Sequence, residues 1–98
     1  MTKPYKEEVL EQHGTGKMFK VRTFEHTVDN DELVWHRDKR HRTVHVLSGN
    51  GWKLQKDDSL PEDLTVGRDY YILKNSYHRL IKGATPLKCR VYKHGNSS

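Results

Sequence analysis

An all-β sandwich or barrel is the fold class this sequence predicts, and three observations carry it. Apolar residues recur mostly with a period of two, the strand period. The alternating segments are only four to eight residues long, and clusters of Gly, Asn, Asp, Ser and Pro separate them. A single segment has a composition that suits a helix. Many short strands at such spacing pack as two sheets or close into a barrel.

Residues 4–12, PYKEEVLEQ, are that segment. Proline at its start, acids in the first turn and Gly14 beyond its end fit a short helix, whereas Tyr5, Val9 and Leu10 fit an edge strand equally well. Met18 to Phe24 alternates, with Phe19 and Val21 on one face. Residues 35–42, WHRDKRHR, run into Thr43–Leu47, where Val44 and Val46 share a face and Thr43, His45 and Leu47 share the other. Trp52–Gln55 alternates again, Tyr70–Leu73 is a run of strand formers, and Leu87–Val91 alternates near the end. The turns fall at 13–16 (HGTG), 29–31 (DND), 48–51 (SGNG), 56–63 (KDDSLPED), 74–76 (KNS) and 82–86 (KGATP). There is no internal repeat and no linker, so residues 1–98 are expected to form one domain with a frayed tail at 95–98.

With 98 residues the chain fits one core, burying roughly 60–70% of the surface of the unfolded chain. The apolar fraction of 33% and charged fraction of 32% make that core thin, and a homodimer is the expected way to cover more apolar surface. Lysine and arginine number 18 against 13 acids, a net charge of +5 that favours anionic partners. Cys89 is the sole cysteine, which excludes an intrachain disulfide and a paired Cys/His zinc pattern. The first twenty residues hold no apolar run of signal-peptide type, and no 18 consecutive apolar residues occur, so a soluble, cytoplasmic protein without a membrane partner is expected.

On a continuous strand, His36, Asp38, Arg40 and Arg42 project to one face with Val44 and Val46. The valines make it the buried face. Charges placed there must pair, bind an ion or line a wet cavity. His41 and His45 take the opposite face and are packing or surface groups. Trp35, Trp52, Tyr70 and Tyr71 are core or interface aromatics, and Lys88, Arg90 and Lys93 a solvated face. A nucleic-acid stripe would set its cations on an exposed surface with interleaved aromatics, so the parity of this run argues against nucleic acid as a partner.

The spacing of these residues resembles the motifs of the cupin family, small double-sheet β-barrels of jelly-roll form. Asn30, His36-Arg37-Asp38, Arg42 and Gly49 stand at the spacing of the first motif, Gly-x5-His-x-His-x3-4-Glu-x6-Gly. Gly67, Leu73-Lys74-Asn75, His78 and Lys82 stand at that of the second, Gly-x5-Pro-x-Gly-x2-His-x3-Asn. Asn75 replaces a glycine mildly, because asparagine tolerates the left-handed conformation. Residues 3–26, 46–49, 70–83 and 86–95 further resemble the small cupin domain of type II mannose-6-phosphate isomerases. The resemblance covers nearly the whole chain and implies a cupin double-stranded β-helix.

In that family two histidines and a glutamate of the first motif, with the histidine of the second, hold one divalent transition metal. His36 and His78 match two of those positions, Asp38 replaces the second histidine and Arg42 replaces the glutamate. Two outcomes follow. In one, His36, Asp38 and His78 form a two-histidine, one-carboxylate set for Zn, Mn, Fe or Ni, with Arg42 beside it binding an anion. In the other, Arg42 pairs with Asp38 and its cation keeps the metal away, which the two-unit change in local charge favours. A register one residue shorter would set Arg37 and Lys39 opposite the family histidines and leave no ligand set.

The resemblance implies a sugar-phosphate isomerase, with His36 and His78 as catalytic base, Arg40, Arg42 and Arg79 as ligand-binding groups and a phosphorylated sugar as the small anionic partner. The alternative is a non-catalytic cupin that binds or sequesters a phosphorylated small molecule.

Overall fold

The computed structural model describes residues 5–11, 14, 18–27 and 33–94. The tail 95–98, Asn30, the turn at 29–31 and all of the turn at 13–16 except Gly14 lie outside the described residues. Among the described residues eight strands form: β1 Tyr5–Glu11, β2 Met18–Phe24, β3 Arg42–Ser48, β4 Lys53–Lys56, β5 Glu62–Asp63, β6 Asp69–Ile72, β7 His78–Ile81 and β8 Leu87–Lys93. They make two antiparallel sheets, a five-stranded one in the order β1-β2-β8-β3-β6 and a three-stranded one in the order β5-β4-β7.

The segment left open between helix and strand is β1, the edge strand of the larger sheet. Its seven residues pair with all seven of β2, from Tyr5 opposite Phe24 to Glu11 opposite Met18. A hairpin partner with that many ladder bonds outweighs the modest helix propensity of the segment. No helix among the described residues is long and apolar enough to cross a membrane.

The core lies between the sheets and is built on Trp52, Leu87 and Val46, with Phe24, Leu54, Leu64, Tyr70, Ile72, Cys89 and Val91 around them. Trp52 is 1% exposed, and its indole N–H donates to the Thr85 carbonyl at 2.5 Å, so its one polar atom is satisfied inside the barrel. The chain passes this ring at Gly83, where an added Cβ would fall 2.2 Å from the Asn50 oxygen and 2.6 Å from Trp52 Cδ1. The KGATP turn therefore takes a glycine for room.

The faces of β2 follow from its register. Phe24 lines the interior, so Arg22 and Lys20 share the inner face, while Phe19, Val21 and Thr23 point outward. Val21 is nonetheless buried, on the outer surface of the sheet and apart from the main core cluster.

Candidate metal and ligand site

One cavity of about 300 Å³ opens between the sheets. Its floor is apolar, from Phe24, Val44, Val46, Leu54, Ile72, Leu80 and Leu87, and its polar lining is His36, Asp38, His78, Arg22, Arg42 and Tyr5. Three backbone hydrogen bonds place the histidines and the aspartate. His36 forms an isolated antiparallel bridge with His78, each amide donating to the other's carbonyl at 3.0 and 2.9 Å. That reciprocal pair sets the two imidazoles edge to face with ring centroids 4.3 Å apart. The Asn75 amide donates to the Asp38 carbonyl at 2.6 Å, which fixes the aspartate against the turn before β7. Asn75 has φ of 62°, so the left-handed position expected there is present.

His36, Asp38 and His78 come together with one ligand atom of each within 4.8 Å of the others. His36 Nδ1 lies 3.0 Å from the Val34 carbonyl and His78 Nδ1 lies 3.0 Å from the Ser76 carbonyl. A carbonyl only accepts, so each Nδ1 carries a proton and each Nε2 is the nitrogen left for the cavity. His78 is 4% exposed, the one buried polar or charged residue among those described. Its Nε2 faces Asp38 Oδ2 at 3.3 Å, and that oxygen is buried without a hydrogen-bond partner among the described residues.

Asp38 Oδ1 pairs with Arg42 Nη2 at 3.1 Å. Burial pushes the Asp38 carboxyl up, but His78, Arg42 and His36 together outweigh it and hold the group below its ordinary 3.8. Burial also holds the Arg42 guanidinium below its ordinary value, against the pull of Asp38 and with a further push from Arg22. Cys89 lines the same cavity with its thiol pushed up to about 11 by burial, so it is not a thiolate nucleophile near neutral pH.

The other expected site residues lie elsewhere. Arg40 is exposed and outside the cavity lining, because residues 39 and 40 bend and β3 begins only at Arg42. The single strand expected to run from His36 to Val46 is thus broken, yet His36, Asp38, Arg42, Val44 and Val46 all line the cavity and only Arg40 leaves that face. Arg79 points away from the cavity, since His78 and Leu80 take the inner positions of β7. Its Nε donates to Gln55 Oε1 at 2.9 Å and its guanidinium lies 5.1 Å from the Trp35 ring centroid. Arg37 stacks over Tyr77 at 5.4 Å and Lys39 is exposed, so the shorter motif register does not describe the cavity. His41 and His45 are bound on the outer side, to the Lys74 amide and to Asp69. Arg22 and Tyr5 line the cavity without having been singled out; the alternation of β2 back from Phe24 was the available signal.

The combination is a double-stranded β-helix barrel with a two-histidine, one-carboxylate group in its cavity. No protein-family model matches the chain, and no curated protein matches it in sequence. Solved structures match it in shape. The dimethylsulfoniopropionate (DMSP) lyase DddQ from Ruegeria pomeroyi superposes with a TM-score of 0.76 at 13% identity, covering 96% of this chain and 48% of that one. An RmlC-like cupin with a double-stranded β-helix fold from Methanocaldococcus jannaschii gives 0.67 at 14% identity, covering 92% and 79%. A cupin-2 domain protein from Shewanella frigidimarina gives 0.68 at 18%, covering 93% and 81%. The chain therefore has the cupin fold, and it spans about half the length of the lyase.

Proposed function

We propose that this chain is a metal-binding cupin that admits a small anionic molecule to its cavity, with His36, Asp38 and His78 as the metal ligands. The observation that carries the reading is the facing pair of His78 Nε2 and Asp38 Oδ2 at 3.3 Å with no hydrogen bond on the oxygen. Two acceptor atoms at that distance call for a proton on the imidazole or a cation between them. His36 presents a third donor with its other nitrogen held by a backbone carbonyl, the arrangement that orients metal-ligating histidines. The donor set suits Zn, Mn, Fe or Ni. A bound metal would act as a Lewis acid on a carbonyl or similar oxygen.

Arg42 bears on how tightly an ion is held, because it already neutralises one oxygen of Asp38. Each imidazole has one free nitrogen, so a lone pair that holds a metal is not also a base. The assignment of His36 and His78 as ligands therefore displaces their assignment as catalytic base. Mannose-6-phosphate isomerase-like turnover is the finer reading of the same site, with Arg42 at the phosphorylated sugar. The second reading, a metal-free cupin that binds the anion without turnover, is favoured by the Arg42–Asp38 pair. Titration with Co(II), followed by its visible absorption, tests the proposal: wild type should saturate and His78→Ala should not, and a flat wild-type titration would leave only the second reading.

The homodimer expected from composition remains part of the proposal. The outer face of the larger sheet, with Leu10 opposite Phe19 and Phe19 against Tyr92 at 5.5 Å, is the apolar surface it would use. Light scattering across a dilution series reads it directly.

A further inference from the structure

Four cations converge at the end of the barrel where β3 begins and β8 ends. Arg22 and Lys20 occupy the inner face of β2, and Arg42 the inner face of β3. Lys93 shares the inner face of β8 with Val91 and is paired in register with Arg42. Two carboxylates are set against them. Glu7 accepts from Arg22 Nε at 2.6 Å and lies 3.5 Å from Lys20 Nζ, while Asp38 pairs with Arg42. Among these six side chains two positive charges are left over, and exposed Glu11 stands farther out on the same face of β1.

Lys93 is pushed down to about 8, first by the neighbouring Lys20, then by burial and by the charges of Arg42 and Arg22. Arg42 Nε is buried with no hydrogen-bond partner among the described residues. Like charges set side by side and a buried guanidinium N–H without an acceptor both cost free energy. An oxyanion seated among them relieves both.

We propose that Lys20, Arg22, Arg42 and Lys93 bind the phosphate group of a small phosphorylated molecule whose remainder runs into the apolar cavity. A phosphate monoester carries close to two negative charges near neutral pH and offers several acceptor oxygens to this excess of cations. The lysines stand at the rim and the arginines against the cavity wall, so the anion is met first by groups that reach into solvent. The inference rests on the reading that the barrel takes a small anion, and it names where the charged end sits. It does not need the metal.

The test is binding of inorganic phosphate, followed by calorimetry and phosphorus NMR, with acetate as a singly charged control. It uses wild type, Lys93→Gln and the Lys20→Gln/Lys93→Gln double variant, each with and without a chelator, after circular dichroism has verified that they fold. Saturable phosphate binding that weakens about tenfold for each lysine removed and persists in chelator is the expected result. No saturable binding, equal binding by the double variant, or acetate bound as tightly as phosphate would overturn it. Metal uptake without phosphate binding sinks this inference and leaves the metal reading standing. Phosphate binding without metal uptake does the reverse.

Discussion

Asp38→Asn isolates what the buried ion pair contributes. The substitution keeps the shape of the side chain and removes its charge, leaving Arg42 without its counter-charge at a position where both side chains are only 12–13% exposed. Removing one partner of a fully buried pair costs about 3–5 kcal/mol. This pair borders an open cavity, and solvent and the neighbouring Glu7 soften the loss, so about 2 kcal/mol is expected. For a domain of this size that lowers the melting temperature by about 8–16 °C. Thermal unfolding should be followed by circular dichroism in chelator, so that lost metal does not enter. Arg42→Met and the Asp38→Asn/Arg42→Met double variant complete a cycle, and the double variant should be more stable than Asp38→Asn alone because no unpaired charge remains. The pH dependence follows from the sign of the shift. The folded Asp38 carboxyl lies below its ordinary 3.8, so its contribution is full above that value and is lost as pH falls through the folded value. The deficit of Asp38→Asn should therefore shrink in acid. An Asp38→Asn protein that melts with wild type at neutral pH would refute the buried-pair reasoning.

Gly83→Ala should cost about 1–3 kcal/mol, because the new Cβ would meet the Asn50 oxygen and the Trp52 ring; a lowered urea midpoint checks it, and an unchanged one would show that the turn has room to move. Cys89, 3% exposed and with its thiol pushed up to about 11, should resist iodoacetamide in the folded protein and react promptly in urea, as read by intact mass. Asn75→Gly should leave the melting temperature nearly unchanged, whereas Asn75→Val should lower stability by about 1–3 kcal/mol, since a β-branched residue is strained at φ of 62°.

Much of the fold was legible because strand alternation and turn residues are local signals. Met18–Phe24 coincides with β2, and β3, β4, β6 and β8 fall within a few residues of their expected places. β5 was hidden in the acidic turn KDDSLPED, since two exposed residues, Glu62 and Asp63, leave no apolar pattern. β7 entered only through the motif around His78 and not through periodicity. The site was legible to the extent that His36, Asp38 and His78 meet, which depended on motif spacing. The misplaced arginines have two causes. Arg40 was assigned by strand parity across a bend, and Arg79 by adjacency to His78 when its parity pointed outward. Arg22 and Lys20 went unread as inner-face groups because Phe19 and Val21 looked like the buried side of β2, and the opposing signal, alternation back from Phe24, rested on one residue until pairing with β1 and β8 fixed the face.

Metal content by elemental mass spectrometry tests the central claim most directly, on tag-free protein equilibrated in turn with Fe, Mn, Zn and Ni salts and then desalted. The account predicts one metal per chain for at least one of these ions in wild type, and its loss in both His36→Ala and His78→Ala. Wild type free of metal under every condition, or metal retained by both variants, would contradict a centre built from His36, Asp38 and His78.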